Sequence, residues 1–127
     1  MICIIEFKIR DTFYSGKYGE NFPKYIDMYI KNGDRKIGPF VLDLYRCNLV
    51  VPEVIKMLEK ALLAFPDIIQ YKIEFPTDVD VHGVFPFIIG VVYATFKHKV
   101  NVEIDHRIKD FYGDNSIERA IKWIERE

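Results

Sequence analysis

The stretch Lys24-Tyr25-Ile26-Asp27-Met28-Tyr29-Ile30-Lys31, followed by Asn32-Gly33, decides the fold class that this sequence predicts. Its aliphatic residues alternate with polar or aromatic ones, and a period of two is typical of a strand with one buried face. Asn-Gly between two strand-like runs is the strongest short signal for a β-hairpin, because a type I′ turn needs a positive φ at both central residues. We therefore predict a hairpin whose return strand runs from about residue 36 to residue 47, with Gly38-Pro39 at a bulge or a sheet edge.

Strand-like patterns recur on both sides of this hairpin. Alternation of apolar and polar side chains predicts half-buried strands at residues 2–10, 69–75 and 99–108. Residues 86–96 are apolar on both faces, which predicts a central strand covered on both sides and paired with the next strand through a turn near His98. Residues 11–23 contain glycines and a proline without any periodicity and are predicted to form a loop.

Two segments have the apolar spacing of helices. Pro52-Glu53 suits a first helical turn, and Pro66 ends the segment. A second helix is predicted to start at Asn115, where Asn-Ser-Ile-Glu is a variant capping box. The apolar stripes of the two helices are Ile55, Leu58, Leu62 and Phe65 in the first, and Ile117, Ile121 and Ile124 in the second.

The predicted fold is a single α+β domain over residues 1–127, with a six-stranded, mainly antiparallel sheet and two helices packed on one face in the order βββα-βββα. The two halves also resemble each other in sequence. Residues 4–9 resemble 68–73, and residues 54–60 resemble 120–126, at nearly equal offsets. Such offsets are what an internal duplication would leave. The alternative is chance similarity within a chain rich in Ile and Lys.

Composition limits the classes of function. The chain has 127 residues, of which 50% are hydrophobic and 15% aromatic, which is enough to form a core. The formal charge of −1 lacks the basic excess of a typical nucleic-acid binder. Cys3 and Cys47 do not form a CxxC pair and are expected to be buried thiols. No secretion signal or run of 18 apolar residues is seen, so a cytoplasmic protein without a membrane segment is expected.

One polar segment has side chains that bind metals. In an extended Asp78-Val79-Asp80-Val81-His82, the residues Asp78, Asp80 and His82 project to the same side. Two carboxylates and an imidazole could hold a divalent metal for a small hydrolase or lyase. The alternative is a polar loop whose aspartates bond backbone N–H groups, with no cofactor.

A second polar row, Glu103, Asp105 and Arg107, is predicted to be a solvated strand face, with His106 on the apolar side between Ile104 and Ile108. The chain contains no G-x-S-x-G, P-loop or G-x-G-x-x-G motif. Enzymatic activity is therefore not favoured.

Aromatic residues are concentrated near the amino terminus. Exposed aromatic side chains are strong anchors of protein interfaces, because they bury a large area at low entropic cost. Lys17 and Lys24 are balanced by Asp11 and Glu20, which disfavours nucleic acid as the partner. The alternative is a lid of rings folded back over the sheet. The predicted partner-binding residues are Phe13, Tyr14, Tyr18, Phe22, Tyr25 and Tyr29.

These observations favour a non-catalytic protein-interaction module that binds a protein partner or a second copy of itself through the aromatic loop and a sheet face. The size, the layout and the missing catalytic motifs resemble those of small bacterial immunity and inhibitor proteins. That resemblance implies an immunity, inhibitor or assembly role, although layout alone does not fix function.

Overall fold

A computed structural model describes residues 1–15, 20–44, 50–76 and 84–126, without the side chains of residues 11–15, 20–23, 84 and 114. The strands are β1 (Cys3–Ser15), β2 (Glu20–Asn32), β3 (Arg35–Asp43), β4 (Gln70–Ile73) and β5 (Asn101–Ile104). The helices are α1 (Val50–Ala64), α2 (Val84–Phe96), α3 (His106–Tyr112) and α4 (Asp114–Glu125). The α+β class is confirmed, but six strands and two helices were expected and the described residues form five strands and four helices.

The sheet is mixed, with the strand order β3-β2-β1-β4-β5. Strand β2 runs antiparallel to β1 and β3, whereas β1, β4 and β5 are parallel. Each parallel pair needs a crossover, and α2 provides the one between β4 and β5. The mainly antiparallel sheet was therefore a wrong prediction for the second half of the chain.

The two faces of the sheet differ in polarity. The alternation in β1 places Cys3, Ile5 and Phe7 in the core, and their neighbours in β2 and β4 continue this buried face. Helix α1 packs against β3 and α2. Phe85 and Phe96 of α2 contact Phe7 and Tyr71 at ring-centroid distances of 6.4 and 5.6 Å. Helices α1 and α2 therefore lie on one side of the sheet, and the other face carries mainly polar side chains.

Helix α2 replaces the central strand that was predicted at residues 86–96. Its apolar residues point in all directions because α2 is enclosed by the sheet on one side and by α4 on the other. The buried side chains include Ile88, Ile89 and Val91. A segment that is apolar on every face can form a central strand or a fully enclosed helix. Here α4 covers the outer side of the segment as a third layer, which the sequence pattern does not reveal, and the segment forms a helix. The predicted hairpin near His98 is wrong for the same reason.

The hairpin between β2 and β3 is confirmed, with a different turn. Asn32 pairs with Arg35, so Gly33 and Asp34 are the central residues. Of these two, only Gly33 has a positive φ, at 59°, which fits a type II′ turn rather than type I′. The register shifts between Met28 and Ile30, opposite Gly38-Pro39, so the predicted bulge on an edge strand is also confirmed.

The predicted loop at residues 11–23 was wrong over most of its length. Strands β1 and β2 continue as a two-stranded arm in which Ser15 pairs with Glu20 and Phe13 with Phe22. Threonine and aromatic residues favour such pairing, and they outweigh the proline in this segment. The register of β1 against β2 shifts on both sides of Asp11, and the pairing of β2 with β3 reaches Tyr25, the partner of Asp11.

The helical predictions hold in part. Helix α1 begins at Val50 and buries Val50, Val54, Met57, Leu58 and Ala61, whereas Ile55 is exposed. In α4 the predicted stripe is confirmed, since Ile117 is buried and Ile121 and Ile124 pack against the core. The capping box predicted at Asn115 is not confirmed. The N-cap of α4 is Gly113, which has no side chain to bond the first backbone N–H groups.

In the part of the second half that the structure describes, the βββα order is not repeated, so the element order gives no support to an internal duplication. Cys3 is a buried free thiol, as expected, and burial raises its pKa. Cys47 lies outside the described residues. None of the described helices has the length and apolar character that crossing a membrane requires.

Candidate functional site

The polar side of the sheet is the candidate site, and we call it the open face. Strand pairing places Glu6 beside Tyr29 and Lys8 beside Asp27 on this side. The open face around Tyr29 consists of Glu6, Lys8 and Arg10 on β1, Asp27, Tyr29 and Lys31 on β2, and Lys36 on β3.

The carboxylates of the open face are held by basic side chains. Glu6 accepts from Lys31 at 3.2 Å and lies 3.1 Å from the ammonium of Lys36. Burial alone would raise the pKa of Glu6, but the two lysines outweigh burial and lower it. Arg10 lies 2.7 Å from a carboxylate oxygen of Asp27, which is itself almost buried. Glu6 thus holds Lys31 and Lys36, and Asp27 holds Arg10, in the surroundings of Tyr29.

Tyr29 is the aromatic residue at the centre of the open face. Its ring is half-buried, and the ammonium of Lys36 lies 4.1 Å from its centroid. Because Lys36 also binds Glu6, the ring, the ammonium and the carboxylate hold one another in place. Tyr25 is half-buried too, with the ammonium of Lys24 at 5.4 Å from its ring.

The polar row after β5 differs from the prediction of a solvated strand. Strand β5 ends at Ile104, and Asp105 caps α3 by accepting from the backbone N–H of Arg107 at 3.0 Å. The side chain of Arg107 also donates to both Asp105 oxygens, with the closest contact at 2.8 Å. These bonds hold the pKa of Asp105 well below its usual range. Asp105 is only 3% exposed, whereas the side chain of His106, predicted to be apolar-facing, is 84% exposed.

A cleft of about 530 Å³ opens at the edge of the open face, beyond the carboxyl ends of β4 and β5. One wall is formed by Glu6 and Lys8 of β1 with Lys36, and the other by Glu74, Phe75 and Arg107. The guanidinium of Arg107 lies 5.5 Å from the centroid of the Phe75 ring.

The residues predicted from sequence are only partly placed. Tyr25 and Tyr29 lie on β2, and the arm holds Phe13, Tyr14 and Phe22, for which only backbone pairing is described. The predicted contact Tyr18 and the predicted metal ligands Asp78, Asp80 and His82 lie outside the described residues. Elsewhere, over the described ranges, no three His, Cys, Asp or Glu side chains are grouped so that they could hold a metal ion.

Sequence reasoning missed the roles of Lys8, Glu74 and the Asp105–Arg107 pair. Asp105 is a residue type that favours helix N-caps, but it fits the strand alternation of residues 99–108 equally well, so the sequence did not single out the pair. Lys8 and Glu74 gave no signal either, because their meeting depends on the parallel pairing of β1 with β4.

Comparisons of the chain with protein-family models, with curated proteins and with solved structures found no match.

Proposed function

We propose that this protein is a non-catalytic binding module whose open face docks a protein partner with an acidic surface. The observation that carries the proposal is the fixed Tyr29 ring, half-buried and held under the Lys36 ammonium at 4.1 Å. A ring that is already ordered loses little conformational entropy when it is covered, which is a property of interface anchors.

The charge around Tyr29 supports the choice of an acidic partner. Four basic side chains, Lys8, Arg10, Lys31 and Lys36, surround it, against the two carboxylates Glu6 and Asp27. Complementary charge across an interface sets the orientation of a partner and speeds association. A partner that presents Asp or Glu around an apolar patch would meet both the excess lysines and the ring.

The aromatic arm continues strands β1 and β2 beyond the open face. Phe13 and Phe22 are paired in register across β1 and β2, and Tyr25 continues toward Tyr29. We propose Phe13, Tyr14, Tyr18 and Phe22 as further contacts beside Tyr25 and Tyr29. An inhibitor, immunity or assembly protein would act by presenting such a surface.

The charge states of the placed carboxylates fit a binding role. The pKa values of Glu6 and Asp105 are both lowered by basic partners. A carboxyl that stays ionised near neutral pH is suited to ion pairing, whereas a general acid needs a pKa near the working pH.

The test compares the wild type with the double variant Tyr25→Ala and Tyr29→Ala and with the matched control Trp123→Ala, which removes a half-exposed ring on α4. Each tagged protein is used to capture partners from source-cell lysate, and its mass in solution is measured by light scattering. We expect an acidic protein, or a second copy of the chain, to be retained by the wild type and the control and lost from the double variant.

Lys36→Glu provides a second variant that keeps both rings and reverses one charge. It should abolish capture of an acidic partner while the circular dichroism spectrum stays native. Equal capture by the wild type and both open-face variants, together with an unchanged mass, would refute the proposal.

A further inference from the structure

The cleft beside the open face has two walls of opposite charge. On the wall formed by β1 and β3, Lys8 and Lys36 outnumber the single carboxylate of Glu6. Glu6 is also neutralised from outside the cleft by Lys31. Within the described side chains Lys8 has no ion-pair partner, so this wall presents an uncompensated positive charge.

The facing wall has the opposite sign. Arg107 is neutralised by the buried carboxylate of Asp105. Both the guanidinium and the backbone N–H of Arg107 donate hydrogen bonds to this carboxylate. Glu74, the other charged residue of this wall, makes no hydrogen bond to a described side chain and interacts with Arg107 only at longer range. Glu74 is therefore the negative group that remains for a ligand.

The walls lie close together because their strands are direct neighbours. The backbone N–H of Glu74 donates to the carbonyl of Ile5 at 3.0 Å, which continues the parallel pairing of β4 with β1. Glu6 and Glu74 consequently lie on adjacent strands, with Lys8 one step further along β1. The half-buried Phe75 ring supplies an apolar surface beside these charges.

We propose that this cleft binds a small zwitterion of the amino-acid class. Its carboxylate lies against Lys8, its ammonium group against Glu74, and an apolar side group covers Phe75. The volume of about 530 Å³ lies within the range of small-molecule sites. An anion alone would leave Glu74 unpaired next to it, and a cation alone would face Lys8, so the arrangement favours a ligand that carries both charges. This binding does not depend on the protein partner proposed above.

The test uses L-leucine with two analogues that each lack one charge, N-acetyl-L-leucine without the ammonium group and L-leucinamide without the carboxylate. Titrations of the ¹⁵N-labelled full chain are followed by NMR at millimolar ligand near neutral pH. We expect leucine to shift amide signals around residues 6–8, 74–75 and 107, and each analogue to bind about tenfold more weakly, because each loses one charge-assisted contact.

Variants assign each charge to a residue. Lys8→Gln should lower the affinity for leucine about tenfold, to the affinity that the wild type has for leucinamide. Glu74→Gln should lower the affinity for leucine to the affinity that the wild type has for N-acetyl-leucine. Lys99→Gln, an exposed lysine away from the cleft, should leave all three affinities unchanged. The absence of saturable shifts with leucine would overturn the proposal, as would equal binding of N-acetyl-leucine or leucine affinities that neither cleft variant alters.

Discussion

Replacement of Gly90 by alanine tests the packing of α2 against α4, the part of the fold that the sequence least foretold. A Cβ at Gly90 would lie 2.8 Å from the Cβ of Ala120 and 3.2 Å from the backbone nitrogen of Ile121. Carbon atoms at optimal contact are about 3.5–4.0 Å apart. The two helices would therefore have to separate by roughly 1 Å, which disturbs the packing of both.

The size of the effect follows from two opposed contributions. Overpacking in a filled core costs about 1–3 kcal/mol, while alanine in a helix is more favourable than glycine by about 1 kcal/mol. The net expectation for Gly90→Ala is a loss of about 1 kcal/mol, with a melting temperature lower by roughly 3–5 °C for a chain of this size. On an unpacked helix the same substitution would stabilise the protein.

Urea denaturation followed by circular dichroism measures this difference. The paired variant Gly90→Ala with Ala120→Gly moves the methyl group from one helix to the other, so it should recover much of the packing loss, although it places a glycine within α4. A Gly90→Ala protein more stable than the wild type would refute the close approach of α2 and α4.

Further predictions concern single buried or paired groups. Asp105→Asn removes the charge that holds Arg107 but keeps an oxygen that can cap α3, and it should lower the free energy of unfolding by about 2 kcal/mol in urea denaturation; an unchanged midpoint would contradict the pairing of Asp105 with Arg107. Because the pKa of Asp105 is lowered in the folded state, its contribution is present above its ordinary value of 3.8 and is lost as the pH falls toward the folded pKa. Asp105→Asn should therefore flatten the acid side of the stability profile, and an equally steep loss below about pH 4 would argue against the linkage. The buried hydroxyl of Tyr71 lies next to the Cys3 thiol and has no ordinary hydrogen-bond partner. Tyr71→Phe should therefore leave the free energy of unfolding unchanged or raise it by about 1 kcal/mol in thermal melts. A loss of more than that amount would reveal a hydrogen bond to the hydroxyl. Burial raises the pKa of Tyr112 to about 12, so in a spectroscopic alkaline titration Tyr112→Phe should remove only a late-titrating phenol, and loss of an early one would contradict its burial.

Local patterns were sufficient for the first half of the fold. The alternation in β2 and the glycine after Asn32 act within a few residues, and they correctly place the hairpin, its bulge and the buried face. The extension of the arm through residues 11–15 was missed because glycine and proline were given more weight than cross-strand pairing.

Long-range packing explains the errors in the second half. Whether residues 86–96 form a strand or a helix depends on α4, which lies far along the chain and covers the outer side of α2. Asp105 fits the strand alternation as well as it fits a helix cap, and only the end of β5 at Ile104 distinguishes the two.

The same limit applies to the candidate site. Tyr25 and Tyr29 could be named from sequence, because strand alternation alone separates them from the core. The two walls of the cleft could not, since Lys8 and Glu74 meet only through the parallel pairing of β1 with β4.

The most direct test of the open face as a docking surface is site-specific photo-cross-linking. The photoreactive residue p-benzoylphenylalanine is placed at Tyr29 and, as the control, at Leu63, which is 79% exposed on the helical side. Illumination in source-cell lysate should give a discrete adduct with one acidic protein, or with a second copy of the chain, from position 29 and not from position 63. The same adduct from both positions, or none from position 29, would contradict the account.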